Sequence, residues 1–348
     1  MQDIRFTEGI LRWYAENGRD LPWRRTRDPY AVWLSEIILQ QTRIAQGTAY
    51  WERFMERFPS VEDLAAASED EVLRLWQGLG YYSRARNLHA AARQIVAQGG
   101  FPSTLEGIRA LKGVGDYTAA AIGSIAFGLR AAVVDGNVYR VLARYCAIAT
   151  PVGTTAAKKE FTALATSLLP SDAAAFNQGM MDFGAMVCTP AAPRCTDCPL
   201  SAGCRAFREG RVALLPVKKP AAAVQERHLT YIYIRCSGFT AIHRRGPGDI
   251  WQGLWEPLVF ETGIAGNPLS VIASDPLSVI ASECGQSLTL LRSGVKHQLT
   301  HRTIYADFYL MECSERPSLP PDYIWVPEAA FLSDYGKPRL VELLLAAL

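Results

Sequence analysis

The stretch LKGVGDYTAAAIGSIAFGLRAAVVDGNVYRV, residues 111–141, constrains this chain more than any other. Gly113 and Gly115 make a tight turn that opens onto a small-residue helix, expected over 117–127. Glycine reaches backbone conformations closed to other residues, and the first amides of a helix have no partner inside it. Bare amides at a helix start suit a phosphate. An apolar run at 131–134 then delivers Asp135, followed by Gly136 and Asn137. A lone GxG turn says little. Followed by a helix and then a carboxylate, it reads as a nucleic-acid backbone grip beside a group able to do acid or base chemistry.

A chain of 348 residues favours two domains, each with its own core. With 49% apolar and 20% charged residues it is globular rather than disordered. There is no signal-like apolar segment at the N-terminus and no run approaching the roughly 18 residues of a membrane span. A soluble, cytoplasmic protein is expected. The net charge is only +2; residues 1–210 carry 23 basic and 21 acidic side chains, and the remainder 13 of each. Bulk charge therefore lends nothing to nucleic-acid binding, and any basic surface must be local.

Eight cysteines without a signal segment argue against a disulfide framework. Cys146, Cys236, Cys284 and Cys313 are scattered and read as buried thiols. The others cluster as Cys188, Cys195, Cys198 and Cys204, with Pro190, Pro193 and Pro199 enforcing loops between them. Four thiolates so spaced converge on a metal, and zinc is the generic occupant.

Asp28 and Pro29 form a helix start, with Asp as cap and Pro at the first position. The following helix places Glu36 among Trp33, Leu34, Ile37 and Ile38. A carboxyl in apolar surroundings has a raised pKa and can act as a general acid; the alternative is a surface glutamate on an amphipathic helix. Before this helix, LPWRR at 21–25 offers Arg24, either a ligand-facing cation or a solvated arginine beside a packed Trp23. Ser68 and Glu71 make a capping box. Gly78-Leu79-Gly80-Tyr81 is then a tightly turned loop, either presenting Leu79 and Tyr81 as wedges between base pairs or joining helices around a buried leucine. His89 reads as a helix-surface residue. A last helix, expected to open at 176 and run to about 186, carries Gln178, whose amide matches a donor–acceptor base edge or simply sits near the helix start. His297 and His301 are four apart, but their flanks are not helical, so a metal pair is disfavoured.

Residues 211–228, with Pro216, Lys218, Lys219 and Pro220, read as a linker. Beyond it, strand-like runs at 231–234, 241–242 and 303–311 mark a second domain at 229–348. PLSVIAS occurs twice, at 268–274 and 276–282, and reads as a surface insertion.

GVGDYT at 113–118, VDGN at 134–137, Glu36 with QQT at 40–42 and the cysteine spacing together resemble the helix-hairpin-helix DNA glycosylases, and among them the adenine DNA glycosylases of the MutY family. The resemblance runs from about residue 10 into the C-terminal region. It implies a mainly α catalytic region at 1–210, with a six-helix barrel and an iron–sulfur region. It also implies an α+β Nudix-like lesion-recognition domain at 229–348, which lacks the glutamate-rich helix of active Nudix hydrolases and so has no pyrophosphatase activity. The implied reaction is excision of adenine opposite 8-oxoguanine or guanine without strand cleavage. Glu36 would be the acid and Asp135 the stabiliser of the sugar cation. Tyr117 would support them and Asn137 orient. Arg24 would approach the DNA or the flipped base, with Gln178 left by its own chemistry as a base-edge reader or water-holder; Gln41, Leu79 and Tyr81 would wedge the stack, and Gly113 and Gly115 would anchor a phosphate.

Leu299, Thr300 and His301 stand where the family has an aromatic–Ser–His loop that reads 8-oxoguanine; Leu299 replaces the aromatic residue. The resemblance favours one 4Fe–4S cluster on Cys188, Cys195, Cys198 and Cys204 over zinc. It implies double-stranded DNA as partner and a monomer. Endonuclease III, a glycosylase and lyase, needs a lysine where Tyr117 stands and lacks the second domain; a mismatch-specific thymine glycosylase lacks that domain and a counterpart of Glu36. A non-enzymatic zinc DNA-binding protein would leave Glu36 and Asp135 unexplained.

Overall fold

The structure is a computed structural model that describes residues 4–219, 224–262 and 288–348. The PLSVIAS duplication and Cys284 lie outside the described residues. The chain divides into two compact units: Met1–Ala66 with Asn87–Pro220, and Ala67–Arg86 with Ala221–Leu348. The segment carrying Leu79 and Tyr81 thus packs with the C-terminal half of the chain. Among the described residues no helix is long and apolar enough to cross a membrane.

The first unit is helical. Its long elements are α1 (Ile4–Asn17), α2 (Pro29–Ile38), α3 (Ile44–Arg57), α8 (Asp116–Phe127), α9 (Gly136–Tyr145), α10 (Thr155–Leu168) and α11 (Ala173–Met186). Shorter helices are α4 (Val61–Ala66), α7 (Leu105–Arg109) and α12 (Arg205–Arg208), and α6 (Ser83–Ala97) supplies its Asn87–Ala97 portion. Phe6, Ile10, Val141, Leu142, Phe161, Phe176 and Phe183 fuse α1, α9, α10 and α11 into one core. Apart from Pro29, α2 is buried along its whole length, and the Asp28 carboxylate caps it by accepting from the Tyr30 and Ala31 amides at 3.2 and 3.1 Å. A helix apolar all round belongs inside a protein, and Glu36 is carried inside with it. The last helix begins at Ala173, three residues before the expected start, because the Asp172 side chain caps it through the Ala175 amide at 3.0 Å. His89, expected on a helix surface, is buried. Of the scattered thiols, Cys236 and Cys313 are buried and Cys146 is half-buried.

The second unit joins α5 (Glu69–Leu75) and the loop after it to a seven-stranded mixed sheet. Its strands are β1 (Gln225–Cys236), β2 (Phe239–Arg244), β3 (Trp255–Glu256), β4 (Leu258–Thr262), β5 (Leu288–Gln298), β6 (Arg302–Cys313) and β7 (Tyr323–Pro327). The order is β3-β2-β1-β6-β5, with β4 also on β1 and β7 on β2. β1 and β6 run parallel from Gln225↔Arg302 to Cys236↔Cys313. β1 starts inside the span expected as linker. Alternate β1 residues face two cores: Leu229, Tyr231 and Tyr233 meet Phe331, Leu340 and Leu344 of α13 (Glu328–Asp334) and α14 (Arg339–Leu345), while Ile232 and Ile234 meet Met311 and Leu258.

Candidate active site

In the first unit α2, α8, α9 and α11 surround a cavity of about 470 Å³. Glu36, Tyr117, Asp135, Asn137, Arg24 and Gln178 all line it, as does Gln41. Six of the expected base- or sugar-facing side chains and one expected wedge therefore converge from segments spread over more than 150 residues of chain.

Glu36 is 8% exposed, and its Oε2 accepts from the Tyr117 hydroxyl at 3.0 Å. Burial raises its pKa from about 4.5 to about 7, against the opposing Tyr117 hydrogen bond and Arg24 charge and with help from Asp135. Tyr117 is pushed well above its ordinary value by burial and by the two carboxylates, so it remains a donor. It also lies 3.5 Å from the Met181 sulfur.

Asp135 caps α9. Its Oδ1 accepts from the Val138 amide and its Oδ2 from the Asn137 amide side chain, each at 2.8 Å. Burial raises its pKa and these two donors oppose the rise. The carboxylate is thus solvated by fixed N–H groups instead of water. Asn137 is held in turn by Arg140, which donates to its Oδ1 at 2.7 Å and to the carbonyls of Gly184 and Cys188, each at 2.7 Å. Gly184 is needed here, because a Cβ on it would lie 2.6 Å from the Asn137 Cβ.

Sequence reasoning missed three of the side chains that build this site. Asn177 is buried on α11; it accepts from the Val133 amide at 3.1 Å and donates to Ser124 Oγ at 2.9 Å and to the Ala131 carbonyl at 2.8 Å, pinning the run that leads into Asp135. Arg140 is the second. Asp182 is the third: it takes Arg24 Nη1 and Nη2 at 2.7 and 2.8 Å. Arg24 is consequently neither solvated nor free: its guanidinium lines the cavity wall ion-paired to Asp182, beside a buried Trp23. The partners of Asn177 and Asp182, and the Gly184 and Cys188 carbonyls that hold Arg140, are far away in sequence, so no local pattern signals them.

Gln178 donates to the Ala174 carbonyl at 3.3 Å, and its Oε1 is buried with no hydrogen-bond partner among the described residues. Gln41 is exposed with φ 59°, a left-handed conformation that costs a non-glycine residue about 1–2 kcal/mol. Gly113 has φ 77°, and its missing side chain admits Asn87, whose Cβ would lie 2.6 Å from an added methyl. Gly115 is the N-cap of α8 with open space in front of it and no side-chain cap.

Within the second unit, Leu79 is buried and does not protrude as a wedge; Tyr81 does, at 47% exposed with φ 48°. The loop is fixed by Arg84, which donates to the Leu79 and Gly80 carbonyls at 3.3 Å each and lies over the Trp76 ring. The Tyr81 hydroxyl is hydrogen-bonded to Thr300. Leu299, Thr300 and His301 form the tip between β5 and β6, closed by the Leu299 amide on the Arg302 carbonyl at 2.8 Å. Thr300 and His301 are exposed, and Leu299 packs partly on the core.

Cys188, Cys195, Cys198 and Cys204 border one cavity of about 30 Å³. Among the described residues no three His, Cys, Asp or Glu side chains are grouped so as to hold a metal ion; what the four thiols share is the cavity. Arg144 wraps the loop, donating to Cys188 Sγ at 3.5 Å, to the Thr189 and Pro190 carbonyls at 2.7 and 3.1 Å and to Leu215 at 2.9 Å. Burial pushes the Cys198 thiol up to about 11, against the Leu200 amide beside it. The chemistry of the donor set, four thiols with a guanidinium beside Cys188 and an amide beside Cys198, suits a thiolate-bound inorganic group, although the thiols are not drawn together as ligands in this structure.

Residues 34–167 match the model of the HhH-GPD superfamily base excision DNA repair proteins, and residues 230–347 that of the NUDIX domain. The adenine DNA glycosylase of Homo sapiens is 46% identical over 213 residues, 58% of this chain and 39% of that protein. That of Buchnera aphidicola (from Schizaphis graminum) is 35% identical over 263 residues, 74% of this chain and 76% of that protein. The matched region spans less than half the length of the human and mouse relatives. Among solved structures, a thermostable thymine-DNA glycosylase superposes with a TM-score of 0.54 at 32% identity, covering 59% of this chain and 95% of that one. An endonuclease III–DNA covalent intermediate gives 0.52 at 23% identity, covering 60% and 96%, a likeness of fold.

Proposed function

The chain belongs to the adenine DNA glycosylase family, and we propose that it excises adenine opposite 8-oxoguanine or guanine in double-stranded DNA, as a monofunctional enzyme acting as a monomer. The reading rests above all on one observation: Glu36, a buried carboxyl, is hydrogen-bonded to Tyr117 in the same cavity as the amide-solvated Asp135.

The target adenine must leave the helix to enter a cavity of about 470 Å³. Glu36 then gives its proton to the imidazole ring of the adenine as the C1′–N9 bond breaks, so the base leaves neutral. The bonding electrons go to adenine, and the sugar becomes an oxocarbenium-like cation. The Asp135 carboxylate stabilises that cation through space or by a transient bond to C1′. Water adds to C1′, and its proton returns to the Glu36 carboxylate. Tyr117 stands where an amine nucleophile would be required for strand cleavage, so the product is an abasic site in an unbroken strand. Gln178, with its unsatisfied Oε1, faces the cavity as a reader of the adenine edge. The amides after Gly115 grip a phosphate, Gln41 and Tyr81 enter the stack, and Leu299, Thr300 and His301 read the opposite base. Residues 1–210 carry the chemistry and 229–348 the lesion reading. Cys188, Cys195, Cys198 and Cys204 hold one 4Fe–4S cluster, which when bound supplies a covalent brace for the loop at 188–204.

The test is single-turnover cleavage of duplexes with adenine opposite 8-oxoguanine, guanine or thymine, with and without alkali. Adenine release opposite 8-oxoguanine, strand breaks only after alkali, and a loss of roughly 10²–10⁴-fold in Glu36→Gln are expected. Breaks without alkali would mean a lyase. No adenine release from any duplex would overturn the reading.

A further inference from the structure

Asp182 takes no part in the chemistry above. It is a fully buried carboxylate on α11 that accepts from the Arg19 amide at 3.0 Å, from Arg19 Nε at 2.8 Å, and from both terminal nitrogens of Arg24. Arg24 also donates to the Arg19 carbonyl at 3.1 Å, and its guanidinium carbon stands 5.8 Å from the Tyr14 ring. Arg24 and Glu36 line the same cavity.

The charged and titratable groups facing Glu36 are Arg24 from the one-turn helix Pro22–Arg24, Tyr117 from α8 and Asp135 at the cap of α9. Those around Arg24 are Tyr14 of α1, Arg19, Asp182 and, across the cavity, Glu36 itself. Arg24 is therefore the cation in the cavity that bears on Glu36. In a low-dielectric cavity an arginine that pairs with a carboxyl converts it to the carboxylate, typically lowering its pKa by about 1–3 units. A general acid so paired would have given its proton away before the substrate arrived.

Resting on the reading of Glu36 as the acid, we propose that Asp182 is a positioning residue: its carboxylate takes both terminal nitrogens of Arg24 and so keeps that cation from pairing with Glu36. The device separates two demands. Arg24 stays charged and fixed at the wall of the cavity, while Glu36 keeps its proton for the leaving base. Asp182 suits the task because two arginines hold its own pKa below the ordinary value despite its burial, so it stays a carboxylate wherever Glu36 can be an acid.

The experiment is a pH titration of the full chain labelled with carboxyl-¹³C glutamate, with the Glu36 signal assigned by its absence in Glu36→Gln. In Asp182→Asn the Glu36 midpoint should fall by about 1–3 pH units. In Asp182→Asn with Arg24→Met it should return to the wild-type value or above. An unchanged or raised midpoint in Asp182→Asn overturns the proposal. Should Asp182→Asn fail to fold, Arg24→Met alone must raise the Glu36 midpoint; no change there also overturns it. This readout needs no catalysis. Adenine release by the wild type, measured in parallel, tests the glycosylase reading separately.

Discussion

Replacing Glu36 with glutamine should stabilise the protein, and by an amount that depends on pH. The folded chain holds the Glu36 proton up to about pH 7, whereas an unfolded glutamate releases it near 4.5. Between those values unfolding sheds a proton, so the native state loses stability as pH rises, at about 1.4 kcal/mol per pH unit. Over that interval the loss is about 3 kcal/mol; it is absent below pH 4.5 and complete above about 7. A glutamine is neutral throughout and can still accept from Tyr117. Glu36→Gln should therefore match the wild type near pH 4.5 and exceed it by about 3 kcal/mol at pH 8.5, or about 6–12 °C in Tm for a unit of this size. Thermal unfolding of both proteins across that range, followed by circular dichroism, measures the difference directly, because every other carboxylate cancels. A stability difference that does not change with pH would refute the assignment of an ionisation cost to this site.

On the proposed mechanism the same proton sets the rate: single-turnover adenine release should fall as pH rises through about 7, and a rate still climbing at pH 8.5 would exclude Glu36 as the acid. Gly184→Ala forces a methyl to within 2.6 Å of the Asn137 Cβ; it should cost about 1–3 kcal/mol in urea unfolding and slow adenine release by displacing Asn137 from Asp135. Purified wild type should absorb in the visible through thiolate-to-iron charge transfer and Cys198→Ser should lose most of that absorption, whereas a colourless, zinc-loaded wild type would remove the cluster from the account.

What the sequence made legible was local. Asp28 and Ser68 announced helix starts, and their side chains cap those helices. Glu36 was readable because its apolar neighbours are adjacent in the chain, and Asp135 because it follows an apolar run and precedes a helix it caps. Partnerships at long range were not readable. Arg24 lies 158 residues from Asp182, and Val133 lies 44 from Asn177, so nothing near either residue shows what its charge or amide is for. β5 escaped notice because its pairing with β6 is broken by irregularities between Leu290 and Val295, which spoil the alternation that marks a strand. The start of β1 was lost in polar residues 225–228, which pair through their backbones with β6. The loop at 78–81 was read correctly as a turn, yet which of its two large side chains points outward depends on Arg84 and Trp76 and not on the loop itself.

The tip at Leu299, Thr300 and His301 bears on how such a chain can change over generations. It closes a ribbon whose strand β6 pairs along nearly its whole length with β1 and β5. The turn is held by backbone groups, the Leu299 amide on Arg302 and the Gln225 amide on the His301 carbonyl. The exposed side chain at 301 therefore contributes little to the fold, and exchanging it should cost less than about 0.5 kcal/mol, while Thr300 adds only its exposed hydrogen bond to Tyr81. On the proposed reading of the tip, selection can rewrite which base it favours without first having to repair the architecture that presents it.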